Sequence, residues 1–91
     1  MKWPAKDIEE VLDYSIEWAA RLGSTENIDS ATFEVLSGAV EIDSSTVIGT
    51  AAVAWLSGGT PGIAHVGCEI VTDAGRTFRE VVTLPIVDRT T

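Results

Sequence analysis

Two side chains have the types for nucleophilic chemistry: Cys68, the single cysteine, and His65, the single histidine. A thiolate–imidazole pair must sit within hydrogen-bond reach. These two stand three apart in H-V-G-C-E-I, where Val66, Cys68 and Ile70 alternate with His65, Gly67 and Glu69. On a strand of that period their side chains point to opposite faces and cannot meet without a bulge. The expectation is an exposed or rim histidine and a buried cysteine acting as a small apolar residue. One cysteine builds neither a disulfide framework nor a zinc site. No catalytic, metal-ligating or cofactor-binding residue is assigned.

The most strongly marked loop is Ser57, Gly58, Gly59, Thr60, Pro61 and Gly62. A phosphate cradle needs a following helix N-terminus and usually a lysine. Here Ile63 onward alternates like a strand and no lysine follows. The loop reads as a flexible strand connection, and loops on a rigid sandwich often carry contacts, which makes these six residues the partner-docking candidate. Asp7, Glu9, Glu10 and Asp13, or Glu41 and Asp43, lack the dense oxygen pattern and turn glycine of a calcium loop and read as solvated faces. Trp18 and Trp55 fall on alternating apolar faces and are expected in the core. Trp3 is less constrained and is the expected exposed contact.

The totals bound what these residues can serve. Ninety-one residues with 45% apolar content suit one domain with one core. Six basic against 14 acidic residues give −8, so nucleic acid is not an expected ligand. Residues 1–43 hold ten acids and three bases, and residues 44–91 four acids and three bases. That asymmetry reads as solubility first, and as an acidic face for a basic partner second. The opening residues have no long apolar run, so no signal peptide is read, and no segment has the ~20 apolar residues of a membrane span.

The elements that position these residues are mostly strands. Residues 1–10 read as an extended lead-in, because Pro4 disfavours helix at Trp3. Residues 7–22 fit two patterns. Asp7 and Glu10 form a capping-box pair ahead of apolar residues at helical spacing, while Leu12, Tyr14, Ile16 and Trp18 alternate as in a strand. Residues 23–30 read as a polar loop in which Ile28 tucks inward, and Phe33 and Val35 share one strand face. Residues 39–42 read as a short strand, 43–45 as a turn, and 46–56 as a strand that Gly49 bends or bulges. Asp73, Ala74 and Gly75 fit a three-residue hairpin loop. The last strand, to Val87, puts Phe78, Glu80, Val82, Leu84 and Ile86 on one face, with Pro85 arguing for a sheet edge; 89–91 is a tail. Six or seven strands at regular spacing predict an all-β antiparallel sandwich.

Trp55 to Gly62, W-L-S-G-G-T-P-G, and D-A-G-R-T at 73–77 resemble small structural proteins of tailed bacteriophages and prophages, in which W-L-S-G-G-T-x-G precedes a strand and an [SD]-x-G-R-T turn. Residues 6–18 are similar to their opening, K-D-P-x-x-x-L-D-Y-x-x-D-W. Ile8 replaces the proline, Glu17 the aspartate, and Phe33 an expected tryptophan. His65, Gly67 and Cys68 stand where tyrosine and a Thr/Asn-rich strand are commoner. Such proteins are described as phage fibre–tail adaptors, or as head–tail or virion accessory proteins. The resemblance implies an immunoglobulin-like sandwich, with strand at 11–18 and a short helical turn at 19–22. It also implies a non-catalytic virion component, made in the bacterial cytoplasm, that docks to tail, fibre or connector proteins, with a homo-oligomer as one arrangement. The alternative is an immunoglobulin-like carbohydrate- or surface-binding domain.

Overall fold

The computed structural model describes residues 1–89, and the last two positions of the expected tail lie outside them. Seven strands form: β1 Lys6–Asp7, β2 Leu12–Glu17, β3 Ile28–Ser37, β4 Glu41–Ile48, β5 Ala51–Ser57, β6 Gly62–Thr72 and β7 Thr77–Val87. They make two sheets, in the orders β1-β7-β6-β3 and β2-β5-β4. One sheet holding the third, sixth and seventh strands against another holding the second, fifth and fourth is the immunoglobulin-like arrangement.

Residues 7–22 resolve to the strand pattern. β2 pairs antiparallel with β5 from Leu12 opposite Leu56 to Glu17 opposite Ala51. Tyr14, Ile16 and Trp18 are buried, and a 3-10 turn follows at Ala19–Arg21. The capping-box bond does form, from the Asp7 N–H to Glu10 Oε1 at 2.8 Å, but it closes a turn. Tertiary pairing of the alternating face outweighs a helix that could bury only a mixed stripe.

Other expectations change. β3 begins at Ile28, inside the expected loop. The expected turn at 43–45 is continuous strand, with a register shift between Ile42 and Ser44 where Asp43 is the extra residue of a bulge. Gly49 does not bend one strand; Gly49 and Thr50 turn β4 back onto β5. Gly49 takes φ 60°, while no non-glycine residue has positive φ, which matches a type II′ hairpin turn.

The N-terminal lead-in is part of a sheet. The Thr83 N–H donates to the Met1 carbonyl at 3.0 Å, the Trp3 N–H to the Thr83 carbonyl at 3.0 Å, and the Ile8 N–H to the Val87 carbonyl at 2.9 Å. β1 pairs parallel with β7, so the sandwich is not wholly antiparallel. β7 is therefore interior, against the edge placement that Pro85 suggested. Backbone direction alternates along a strand, so Pro85 faces the same side as Thr83 and Val87. Its missing N–H falls between the two bonded stretches, where no rung is made.

The inward faces build one core of Trp3, Trp18, Leu56, Val66, Ile70 and Leu84 with their neighbours. At the far end, loop 23–27 is fastened to the β6–β7 hairpin, whose three-residue loop is as expected. Arg76 Nε donates to Glu26 Oε2 at 3.0 Å, and the Gly23 N–H donates to Glu26 Oε1 at 2.9 Å. Asn27 and Asp73 exchange bonds through the Asp73 carboxylate and N–H. The Arg76 side-chain bond, then those from Gly23 and Thr72, hold the Glu26 carboxyl down at about 2. A depressed carboxylate pKa adds stability that is present above the unfolded value and is lost as pH falls through the folded one. Urea unfolding should show stability declining between about pH 4.5 and about 2, and Glu26→Gln should flatten that decline; an unchanged slope in the variant would refute the assignment.

Candidate functional site

The 57–62 loop crosses from β5 in one sheet to β6 in the other, and three contacts hold it from beneath. Lys6 pairs with Ile86 on β7, which directs its side chain into the sandwich, where it is 0% exposed. Its ammonium donates to the Gly58 carbonyl at 2.7 Å and to its neighbour Asp7's carbonyl at 2.8 Å. Burial pulls the Lys6 pKa down, and the carboxylates of Glu10, Asp7 and Asp43 act against that. The Thr60 N–H donates to the Ala39 carbonyl at 3.1 Å. Gly59, at φ 116°, lies so close that a Cβ would stand 2.8 Å from that same oxygen. This fastened loop replaces the flexible connection expected from three glycines. Gly58, Thr60, Pro61 and Gly62 remain exposed, while Ser57 and Gly59 are half-buried.

Asp7 belongs to the same anchor. Its Oδ1 accepts the Arg89 N–H at 2.7 Å and its Oδ2 the Glu9 N–H at 2.9 Å. These backbone donors, Arg89 first, lower its pKa. Oδ1 thus ties residues near the two ends of the chain together, while Oδ2 closes the local turn. Ser57 Oγ donates to Asp43 Oδ1 at 2.9 Å, which fixes the bulged residue of β4 beside the loop.

Trp3 is not an exposed contact. It is 4% exposed, stacked on Tyr14 at 4.8 Å between ring centroids, with its indole N–H donating to the Ser15 carbonyl at 3.0 Å. The isolated bridge between Lys2 and Thr83 sets the parity: Lys2 shares Thr83's outer face, so Trp3 turns inward. Pairing of residues 1–3 with β7 was not visible in a segment whose only local signal was Pro4.

Trp55 moves the other way. Ala52, Ala54 and Leu56 are the fully buried side of β5, and Trp55 lies outward between Asp13 on β2 and Ser44 on β4. The core already holds Trp3, Tyr14 and Trp18, so the small face of β5 is the one that fits beneath them. Trp55 is half-exposed on the outer face of the three-stranded sheet, with a buried Val53, a half-buried Ala51 and an exposed Ile48 along its stripe. Asp13, Glu17, Glu41 and Asp43 are the charged residues of β2, β4 and β5, and no lysine or arginine lies on these strands. The four arginines all pair elsewhere: Arg21 with Glu80, Arg76 with Glu26, Arg79 with Glu69 and Arg89 with Glu10.

His65 and Cys68 lie on opposite faces of β6, as their spacing requires. His65 Nδ1 is 2.8 Å from Ser37 Oγ on the outer side. Cys68 is buried, and burial pushes its thiol up to about 11 against a smaller lowering by the Trp18 indole. The Trp18 Nε1 has no hydrogen bond of ordinary length, so that N–H contact with the sulfur is a weak one. The arrangement keeps the thiol protonated and away from the imidazole.

An immunoglobulin-like sandwich with an anchored loop and an acidic tryptophan-bearing face has the features of a binding or structural module. The chain belongs to the podophage GP4 fiber-tail adaptor protein gp77 family, whose model matches residues 6–85. No curated protein matches it. The family is one of fibre–tail adaptors, which agrees with a structural part in a phage particle.

The anchor makes a graded prediction. Gly59→Ala should cost about 3 kcal/mol, combining strained backbone with a clash, whereas Gly58→Ala, with open space around its Cβ, should cost only about 1 kcal/mol. Lys6→Met should cost about 2 kcal/mol by leaving carbonyls unpaired. Denaturant midpoints test all three, and equal costs at the two glycines would contradict the packing described.

Proposed function

We propose that this protein is a non-catalytic component of the virion, assembled in the bacterial cytoplasm, that joins tail, fibre or connector proteins by docking. Its acidic tryptophan face receives a basic surface of a partner polypeptide. The observation that carries this reading is the outer face of β2, β5 and β4. It holds a half-exposed Trp55 in an apolar stripe, a rim of carboxylates, and no base on the strands that form it. Tryptophan is the side chain most enriched among interface anchors. One-sided charge steers a partner of opposite sign and fixes its orientation. The exposed tip of the 57–62 loop stands at the end of β5 and extends the same surface.

The carbohydrate-binding reading loses its platform. With Trp3 and Trp18 in the core, Trp55 is the one aromatic ring facing outward among the described residues. A sugar platform generally needs more than a lone ring rimmed by carboxylates.

The test takes the structural proteins encoded beside this gene, each expressed singly, and measures binding by calorimetry or biolayer interferometry. One of them should bind, more weakly as salt rises, and Trp55→Ala should reduce affinity about 30-fold, the loss of about 2 kcal/mol at an interface anchor. Absence of binding to every one of them would remove the adaptor reading. Binding indifferent to Trp55→Ala and to salt would keep an adaptor but move its docking surface elsewhere.

A further inference from the structure

The opposite face of the sandwich differs in kind. On the outer side of β6 and β7 stand Ile63, 54% exposed, and Val81, 43% exposed; Leu36 of β3, 40% exposed, joins them. Gly67 lies in register between Glu34 and Val81. A Cβ on it would stand 3.2 Å from Leu36 Cδ1, so Leu36 leans across the glycine toward Val81. Beside this apolar ridge is a hollow of about 180 Å³ lined by Thr32, Glu34, Gly67, Cys68, Glu69 and Arg79. This face mixes signs: Lys2 and Arg79 stand with Glu34 and Glu69, and Asp7, in register with Val87, keeps its carboxylate on the N–H groups of Arg89 and Glu9.

We infer that the outer face of the four-stranded sheet is a self-association surface, and that its occupant is a second copy of this chain. Three observations select a copy over other occupants. The chain carries −8, so two copies repel least where each offers both signs, and this face holds cations while the strands of the other sheet hold only acids. An isologous contact requires one patch to complement itself. Here each copy offers a ridge, at Leu36 and Val81, and a hollow, beside Gly67. It also offers Lys2 for the other copy's Glu34, beside the loose, exposed Arg79–Glu69 pair at 4.0 Å. The size suits a weak dimer. Three strands of 10 or 11 residues about 4.8 Å apart make a face of roughly 500 Å², which the N-terminal segment beside β7 extends, against the ~800 Å² per partner of a standard interface. Pairing there leaves both Trp55 faces outward, so one dimer presents two identical docking surfaces.

Sedimentation velocity on the purified protein tests this with no partner present, so the outcome is independent of the docking reading. A monomer–dimer equilibrium with a dissociation constant on the order of tens of micromolar is expected, given an interface below the standard size. Val81→Glu should weaken it at least tenfold, and Ile63→Glu, at a more exposed position, should do the same; circular dichroism verifies that each variant is folded. Asp13→Lys and Glu41→Lys, on the other sheet, should leave dimerisation in place. A wild-type protein that stays monomeric at millimolar concentration overturns the inference. So does a dimer that survives both Val81→Glu and Ile63→Glu in folded protein, or one that the opposite-sheet variants abolish.

Discussion

The structure turns on one buried cation. An ammonium group withdrawn from water must have its protons taken up by acceptors. Lys6 finds them in the carbonyls of Asp7 and Gly58. The first lies on its own strand and the second at the crossover between the sheets, so satisfying the lysine also fixes where that crossover runs. Asp7, next along, spends its carboxylate on the N–H groups of Glu9 and Arg89. A two-residue strand thereby gathers the start of the chain, its end and the glycine loop at one end of the sandwich. A parallel strand this short has little pairing strength of its own; side-chain bonds to distant backbone compensate.

The segments that carry the resemblance turn out to be in contact. Residues 6–18 and 55–62 meet through the Lys6 bond to Gly58 and through the β2–β5 ladder. Within the turn motif, Arg76 grips Glu26 and lies over the Phe78 ring at 4.8 Å. Leu56, Gly59 and Arg76 therefore do architectural work. Trp55 is the exception, a large ring in the same motif that faces outward. The glycine-rich loop is thus largely fold chemistry, and the outward tryptophan lies on the neighbouring strand face.

Much of the site's negative content was legible. His65 and Cys68 could be separated by parity alone, because side chains three apart on a strand diverge whatever the strand packs against. The hairpin at Gly75 and the inward set on β7 were equally local. Three placements were not. Trp3, Trp55 and Pro85 each depend on which chain lies alongside. Trp3 turns inward only because residues 1–3 pair with Thr83. Trp55 turns outward because the core is filled by three other aromatic rings. Pro85 is tolerated inside a sheet because the strand beside it leaves one rung unmade.

The amino-acid sequence by itself determined the strand class, the period of most faces, the turn at Asp73 to Gly75, the acidic charge and the separation of His65 from Cys68. These follow from steric preferences and alternation that act over a few residues. Only the tertiary structure decided which face of β5 is buried, how the N-terminal strand is docked, and how charge is divided between the sheets. Alternation defines two faces without saying which is inside. That choice depends on the volume already occupied across the sandwich, and on where a buried lysine can find oxygen.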